Sequence, residues 1–447
     1  KQYCKKGDFI NLMSPFFIIS MKKKQFTFII IAVLGFIHLS CSNNTNDMAT
    51  YRGGSVTRSD LTKHINKSKY KKLSSDEKLS TIQKLAARKV INDYSEELIL
   101  DKSINNQTKK ILNDEKLEQV FDYFLKKYSV SDSTLDFIYN AELVEYTVQD
   151  ILVTHRLSYS EHKDRSPREA HELAAIIRKR IDNNDITFDE AVSIYADHPT
   201  IEIRNGMMGP LPYGKLPKEL DDIIWQSMPG DINGPLETKF GYHVFLIVKR
   251  EQRKQSVPKN RKKTLRREIK NGRYKLLDHY TDSYAEEWFK IFDIELFTEN
   301  IDTLWQRAQA LDLFVIPEGV SILRLNEAGY KAPLARINNQ MVTVDWFIEQ
   351  AQQHGKYKKS NFVKAYFLYN TLIDLLRRYS AVMWYDINDH FDNQKTHQTV
   401  QLKKEKLLYK HYVAQETKID TMLTEGVILN RLALRYDIQV RKDLTLD

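Results

Sequence analysis

The chain has 447 residues, 42% of them hydrophobic, and a formal charge of +9. That length exceeds one ordinary core at ~150 residues per domain, and the apolar content excludes a disordered polymer. Residues 1 to 41 carry +5 of the charge, so the small remainder is a solvated surface rather than a phosphate-binding footprint, and no nucleic-acid partner is expected.

Residues 1–20 read as an upstream extension, with Met21 as the expected start of the protein. Lys22, Lys23 and Lys24 then form a basic region, and Phe26 to Ile37 form an apolar run too short to span a bilayer comfortably. The run closes on His38-Leu39-Ser40-Cys41, which resembles the lipobox of bacterial lipoproteins, although His38 stands where that pattern prefers Leu. The resemblance implies export over residues 21–41, with acylated Cys41 as the membrane anchor and Ser42 leaning toward an outer-membrane, periplasm-facing location. A plain cleaved signal peptide is the alternative. Cys4 and Cys41 are the sole cysteines, so no disulfide, zinc-thiolate site or thiol nucleophile can form after Cys41.

Residues 42–48 read as a polar tether. Between Gly54 and Gly206 there is no Gly, and between Pro15 and Pro167 no Pro, as long helices require. Leu79, Ile82, Leu85, Ala86, Val90, Ile91 and Tyr94 mark one helical stripe, with Ser75 as its expected cap. Ile111, Leu117, Val120, Phe121, Phe124 and Leu125 mark a second, from about 108 to 128. Both stripes are expected to pack in a core. Six of the 15 Gly and six of the 11 Pro then crowd into residues 199–241, a turn-rich island between helical flanks. Helical character resumes over about 262–289, and residues 356–425 again lack Gly and Pro. A weak echo links residues 49–61 to 335–347: each reads as strand, polar turn, short strand, then a helix beginning after Thr57 or Thr343.

The island has an ordered set of motifs. Asp150-Ile-Leu-Val153 closes an extended run from Tyr146, and Pro167 opens a helix through Ala170, Leu173, Ala174, Ile177 and Ile181. Thr187-Phe-Asp-Glu-Ala-Val-Ser-Ile-Tyr-Ala-Asp197, Arg204-Asn-Gly-Met-Met-Gly209, Gly214-Lys-Leu-Pro-Lys-Glu-Leu220, Met228-Pro-Gly-Asp-Ile-Asn-Gly-Pro235 and Thr238-Lys-Phe-Gly-Tyr-His-Val-Phe-Leu-Ile247 follow in order. Taken together, residues 146–250 resemble a parvulin-type (PpiC, rotamase) peptidyl-prolyl cis-trans isomerase domain, and the whole chain resembles the SurA-like and PrsA-like exported foldases.

The resemblance implies an α+β fold, a four-stranded antiparallel sheet with surrounding helices, set between mostly helical chaperone-like regions at 49–145 and 331–447 with a helical linker at 251–330. It implies unfolded or proline-containing exported polypeptides as partners, and no cofactor or metal. The polar cluster of the family falls on Asp150, His198, Thr238 and His243, of which Thr238 and His243 match the family residue; Asp150 stands where the family has His. Leu216, Leu220 and Phe240 fall on the proline pocket, with Leu220 replacing an aromatic wall. Two readings of Asp150 follow: it accepts a hydrogen bond from His243 and sustains modest activity, or the domain has lost catalysis and the protein is a holdase or an envelope scaffold. His155 and His162 are expected to be solvated. Lys163 and Arg165 alternate with Glu161 and Asp164, so no phosphopeptide specificity is expected.

Overall fold

The computed structural model describes residues 46–98, 103–160, 162, 164–197, 204–253, 260–311, 314–315 and 319–441. The expected leader and Cys41 lie outside these residues, as does His198. The chain divides into two units, Lys1–Ser95 with Tyr409–Asp447, and Glu96–Leu408.

In the first unit the strands Asp47–Tyr51 and Gly54–Thr57 form a hairpin, and Gln439–Val440 pairs antiparallel along the outer edge of Asp47–Tyr51. Thr57 caps the helix Arg58–His64 in a capping box with Asp60. The helix Ser75–Asp93 is capped one residue earlier than expected, by Ser74, because Glu77 sits at the third helical position and returns a bond to the Ser74 N–H. It buries Ile82, Leu85, Ala86, Val90 and Ile91, while Leu79 stays 38% exposed. The C-terminal helix Glu425–Tyr436 packs on it, and Tyr409 donates a hydrogen bond of 2.6 Å to Glu425.

In the second unit the helices Ser103–Lys127, Leu276–Ile291, Thr298–Ala310 and Ala365–Asp386 share the largest apolar cluster. Val120 and Phe124 enter it, but Phe121 and Leu125 are 51% and 39% exposed. Each lies one residue, about 100°, around the helix from a buried neighbour, so the stripe is wider than the buried seam. The helix expected over 262–289 is two helices, Arg261–Lys270 and Leu276–Ile291, because Gly272 turns left-handed at φ 92° between them. The echo of the N-terminal hairpin is real in shape: Ala335–Ile337 and Gln340–Val342 pair, and Thr343 caps the helix Val344–Gln353.

Residues 144–252, which contain the turn-rich island, fold as an α+β layer. In chain order it comprises β1 (Val144–Val153), α1 (Pro167–Asp182), α2 (Phe188–Tyr195), β2 (Met207–Pro212), α3 (Lys218–Ile224), β3 (Ile232–Thr238) and β4 (Gly241–Gln252). The strands form one antiparallel sheet in the order β2-β1-β4-β3. Ser166 and Thr187 cap α1 and α2 in capping boxes with Glu169 and Glu190, and Pro167 opens α1 where its missing N–H costs nothing. Ile151, Val153 and Val244 bury one sheet face against α1 and α2; Val144, Tyr146, Val148, Phe245 and Ile247 bury the other against α3. This alternation fixes which side chains can meet on each face.

Candidate functional site

The period of two along β1 and β4 places Asp150 and His243 on the α3 face, since Asp150 follows Val148 by two and His243 precedes Phe245 by two. In register, Asp150 lies opposite Phe245 and Leu152 opposite His243, so the two polar residues are diagonal neighbours across adjacent strands. Thr238 ends β3 opposite Gly241, and Lys239 and Phe240 make the turn between them. That turn needs Gly241, whose φ is +135°, because a Cβ there would lie 2.4 Å from the Val153 carbonyl oxygen.

Three expected site residues therefore meet in one hydrogen-bonded chain. His243 Nδ1 lies 3.1 and 3.0 Å from the two carboxyl oxygens of Asp150, and His243 Nε2 lies 2.9 Å from Thr238 Oγ1. The Phe240 N–H donates to Thr238 Oγ1 at 3.1 Å. In the neutral imidazole whose Nδ1–H donates to Asp150, Nε2 is the acceptor, and the Thr238 hydroxyl is the donor that suits it. Asp150, His243 and Thr238 are 1%, 4% and 7% exposed, so the chain is dry and its orientation is held by burial as well as by bonding.

Leu220 is 2% exposed and closed into the α3-face cluster, with half-buried Leu216 packed against it. Phe240 is half-buried and meets Tyr159 edge-on at 5.8 Å between ring centroids; Tyr159 in turn meets Tyr366 at 5.4 Å. The Leu216 loop is tied by Asp221, which accepts the Gly214 N–H at 3.0 Å. Burial, with Asp222 nearby, pushes the Asp221 carboxyl up to about 7.

Several further residues brace this site without a local signal in the sequence. Asp197 Oδ2 accepts from the Thr154 N–H at 2.8 Å, from the Thr154 hydroxyl at 3.0 Å and from the Arg165 guanidinium, pinning the end of α2 to the end of β1. Arg165 is thereby turned inward. His155 was expected to be solvated, yet it is 4% exposed. The reason is a covering element: Arg156 grips Asp302 of the helix Thr298–Ala310 through Nε at 2.7 and 2.9 Å and Nη2 at 2.6 Å. Burial lowers His155 to about 4, and neither ring nitrogen meets a hydrogen-bond partner among the described residues. A separate groove of 530 Å³ opens between the helices Ser103–Lys127, Leu276–Ile291 and Ala365–Asp386, lined by Leu117, Val120, Phe121, Phe124, Trp288 and Ala381 among others.

Comparison with known proteins bears on the same segment. The sequence model of the Rotamase family, the PPIC-type PPIASE domain, matches residues 151–249. The foldase protein PrsA of Exiguobacterium sibiricum is 22% identical over 253 residues, covering 52% of this chain and 78% of its own. The foldase protein PrsA of a Geobacillus species is 22% identical over 205 residues, covering 42% and 73%. Among solved structures, PrsA from Bacillus cereus is 14% identical and covers 54% of this chain and 91% of its own, with a TM-score of 0.27. A PpiC-type isomerase domain is 17% identical and covers 26% and 99%, with a TM-score of 0.23.

Proposed function

We propose that this chain, which carries a PPIC-type peptidyl-prolyl isomerase domain at residues 151–249, is an exported foldase that isomerises prolyl bonds in unfolded clients while its helical regions hold them. The observation that carries the reading is the buried Thr238–His243–Asp150 chain, with Asp150 and His243 on the sheet face that Leu216 also packs against, inside the matched segment. Rotation about an X–Pro bond breaks no σ-bond but must cross a barrier of ~18–20 kcal/mol as amide conjugation is lost. A site that excludes water and holds fixed donors and dipoles against the twisted amide lowers that barrier without a nucleophile. Asp150 orients the imidazole, the imidazole orients the Thr238 hydroxyl, and the network sets the polarity of the pocket floor. His198, adjacent to the anchored Asp197, belongs to the same proposal.

The open groove in the helical region supports the holding role, since Phe121 at its rim is 51% exposed and offers an apolar contact to an unfolded segment. The pattern ending at Cys41 supports export and an N-terminal lipid anchor, with the outer membrane as the favoured location. No helix among the described residues is long and apolar enough to cross a membrane. A second reading, a non-catalytic holdase or scaffold, is favoured by Leu220, whose closure into the core leaves the pocket without an aromatic wall. Refolding of a client limited by proline isomerisation separates the two. The foldase reading expects a faster slow phase and suppressed aggregation; suppressed aggregation with an unchanged slow phase supports the holdase.

A further inference from the structure

The turn between β2 and α3 carries Leu216 and leads to Leu220, so its shape sets the shape of the proposed proline pocket. Its pivot is Gly214, at φ +81°. Two side chains hold that pivot. From within the isomerase segment, Asp221 accepts the Gly214 N–H. From outside it, the Cδ1–Cε1 edge of the Tyr274 ring occupies the place where a side chain would stand: a Cβ on Gly214 would be 2.4 Å from Tyr274 Cδ1 and 2.6 Å from Cε1.

Tyr274 belongs to the short 3-10 segment Arg273–Lys275 that joins the helices Arg261–Lys270 and Leu276–Ile291. Its backbone is left-handed at φ 64°, and Lys275 follows at φ 51°, a conformation that costs free energy in residues other than Gly. Surrounding contacts hold it there. The Tyr274 hydroxyl donates to Glu142, whose carboxylate also takes Arg261 at 2.5 Å and Arg273 at 3.0 Å. The ring meets Tyr213 at 5.3 Å, and both rings pack on the cluster of Leu135, Ile138, Leu265 and Ile269.

We propose that Tyr274 is a positioning residue for the isomerase: it seats Gly214 from the helical region and so fixes residues 213–221, the turn that carries Leu216 and the start of α3 that carries Leu220. The inference rests on the isomerase reading for its consequence but not for its geometry. It means that the pocket of residues 151–249 is completed by a residue beyond that segment, and that a disturbance of the hinge at 272–275 is transmitted to peptide binding.

The test compares the full chain with Tyr274→Phe, Tyr274→Ala and Tyr274→Leu, reading amide hydrogen exchange across the chain together with kcat and KM on a proline-containing tetrapeptide. Tyr274→Ala is expected to speed exchange over residues 213–221 about tenfold with β1 and β4 unchanged. It is also expected to raise KM about fivefold while kcat stays within about twofold. Tyr274→Phe keeps the ring and is expected to retain wild-type KM. Unchanged exchange at 213–221 in Tyr274→Ala overturns the proposal. So does a rise spread evenly over the sheet, if Tyr274→Leu, which retains bulk, repeats it. A wild-type chain with no isomerase activity refutes the isomerase reading, and the exchange data still decide whether Tyr274 seats the loop.

Discussion

Replacing His155 by Leu isolates a single acid-sensitive element of the fold. His155 has an ordinary value of 6.5 and is lowered to about 4, chiefly by burial, with Arg165 and Arg156 adding to the effect and Asp302 opposing it. Between these two values the unfolded chain binds a proton that the folded chain does not, so stability falls as pH drops through that window and is fully present above it. At pH 7 the unfolded imidazole is mostly neutral and the contribution to the loss is near zero; at pH 5 it amounts to about 2 kcal/mol. The wild-type chain should therefore lose about 2 kcal/mol more than His155→Leu between pH 7 and pH 5. At pH 7 the variant should be the more stable by about 1 kcal/mol, because Leu leaves no buried ring nitrogen without a partner. A multi-unit chain need not unfold in one step, so the assay is urea unfolding followed by hydrogen exchange in peptides from β1 and β4 rather than by a global signal. Equal losses in wild type and variant over this pH interval would refute the argument that His155 is held neutral by burial.

Removing Arg156 strands a carboxylate that is nearly fully buried, because the Asp302 side chain is 3% exposed. Arg156→Ala is expected to cost about 3–5 kcal/mol, and Arg156→Ala with Asp302→Asn to recover much of it, measured as a double-mutant cycle. Asp150→Ala leaves His243 Nδ1 without its acceptor in a dry site and should destabilise the sheet by about 1–3 kcal/mol; a neutral result in urea unfolding would contradict the bonded pair. Asp150→His restores the residue type that the parvulin resemblance implies, and is expected to raise the isomerisation rate on a proline peptide.

Much of the isomerase segment was legible because its signals are local. Pro167 marks the start of α1, and Gly241 marks a turn whose neighbours are Thr238 and His243. The meeting of Asp150 with His243 was implied by the parvulin resemblance, and alternation along two strands is what places them on one face. What escaped is set by elements distant in sequence. His155 is buried by a helix joined to its neighbour Arg156 across 146 residues, and no local pattern announces that cover. Tyr274 reaches Gly214 from a hinge whose own signal, Gly272, interrupts what otherwise reads as one helix. The exposure of Phe121 and Leu125 shows the opposite limit: a helical stripe tells which side is apolar, but the neighbours decide how much of it is covered.

On the proposed function, the Thr238–His243–Asp150 chain serves prolyl isomerisation. Exchange spectroscopy on a proline-containing peptide, with wild type and His243→Ala side by side, tests it most directly. The account predicts cis-trans exchange well above the uncatalysed rate with wild type, and a loss of about tenfold or more in His243→Ala. Exchange at the uncatalysed rate with wild type, or equal acceleration by the two proteins, would contradict it.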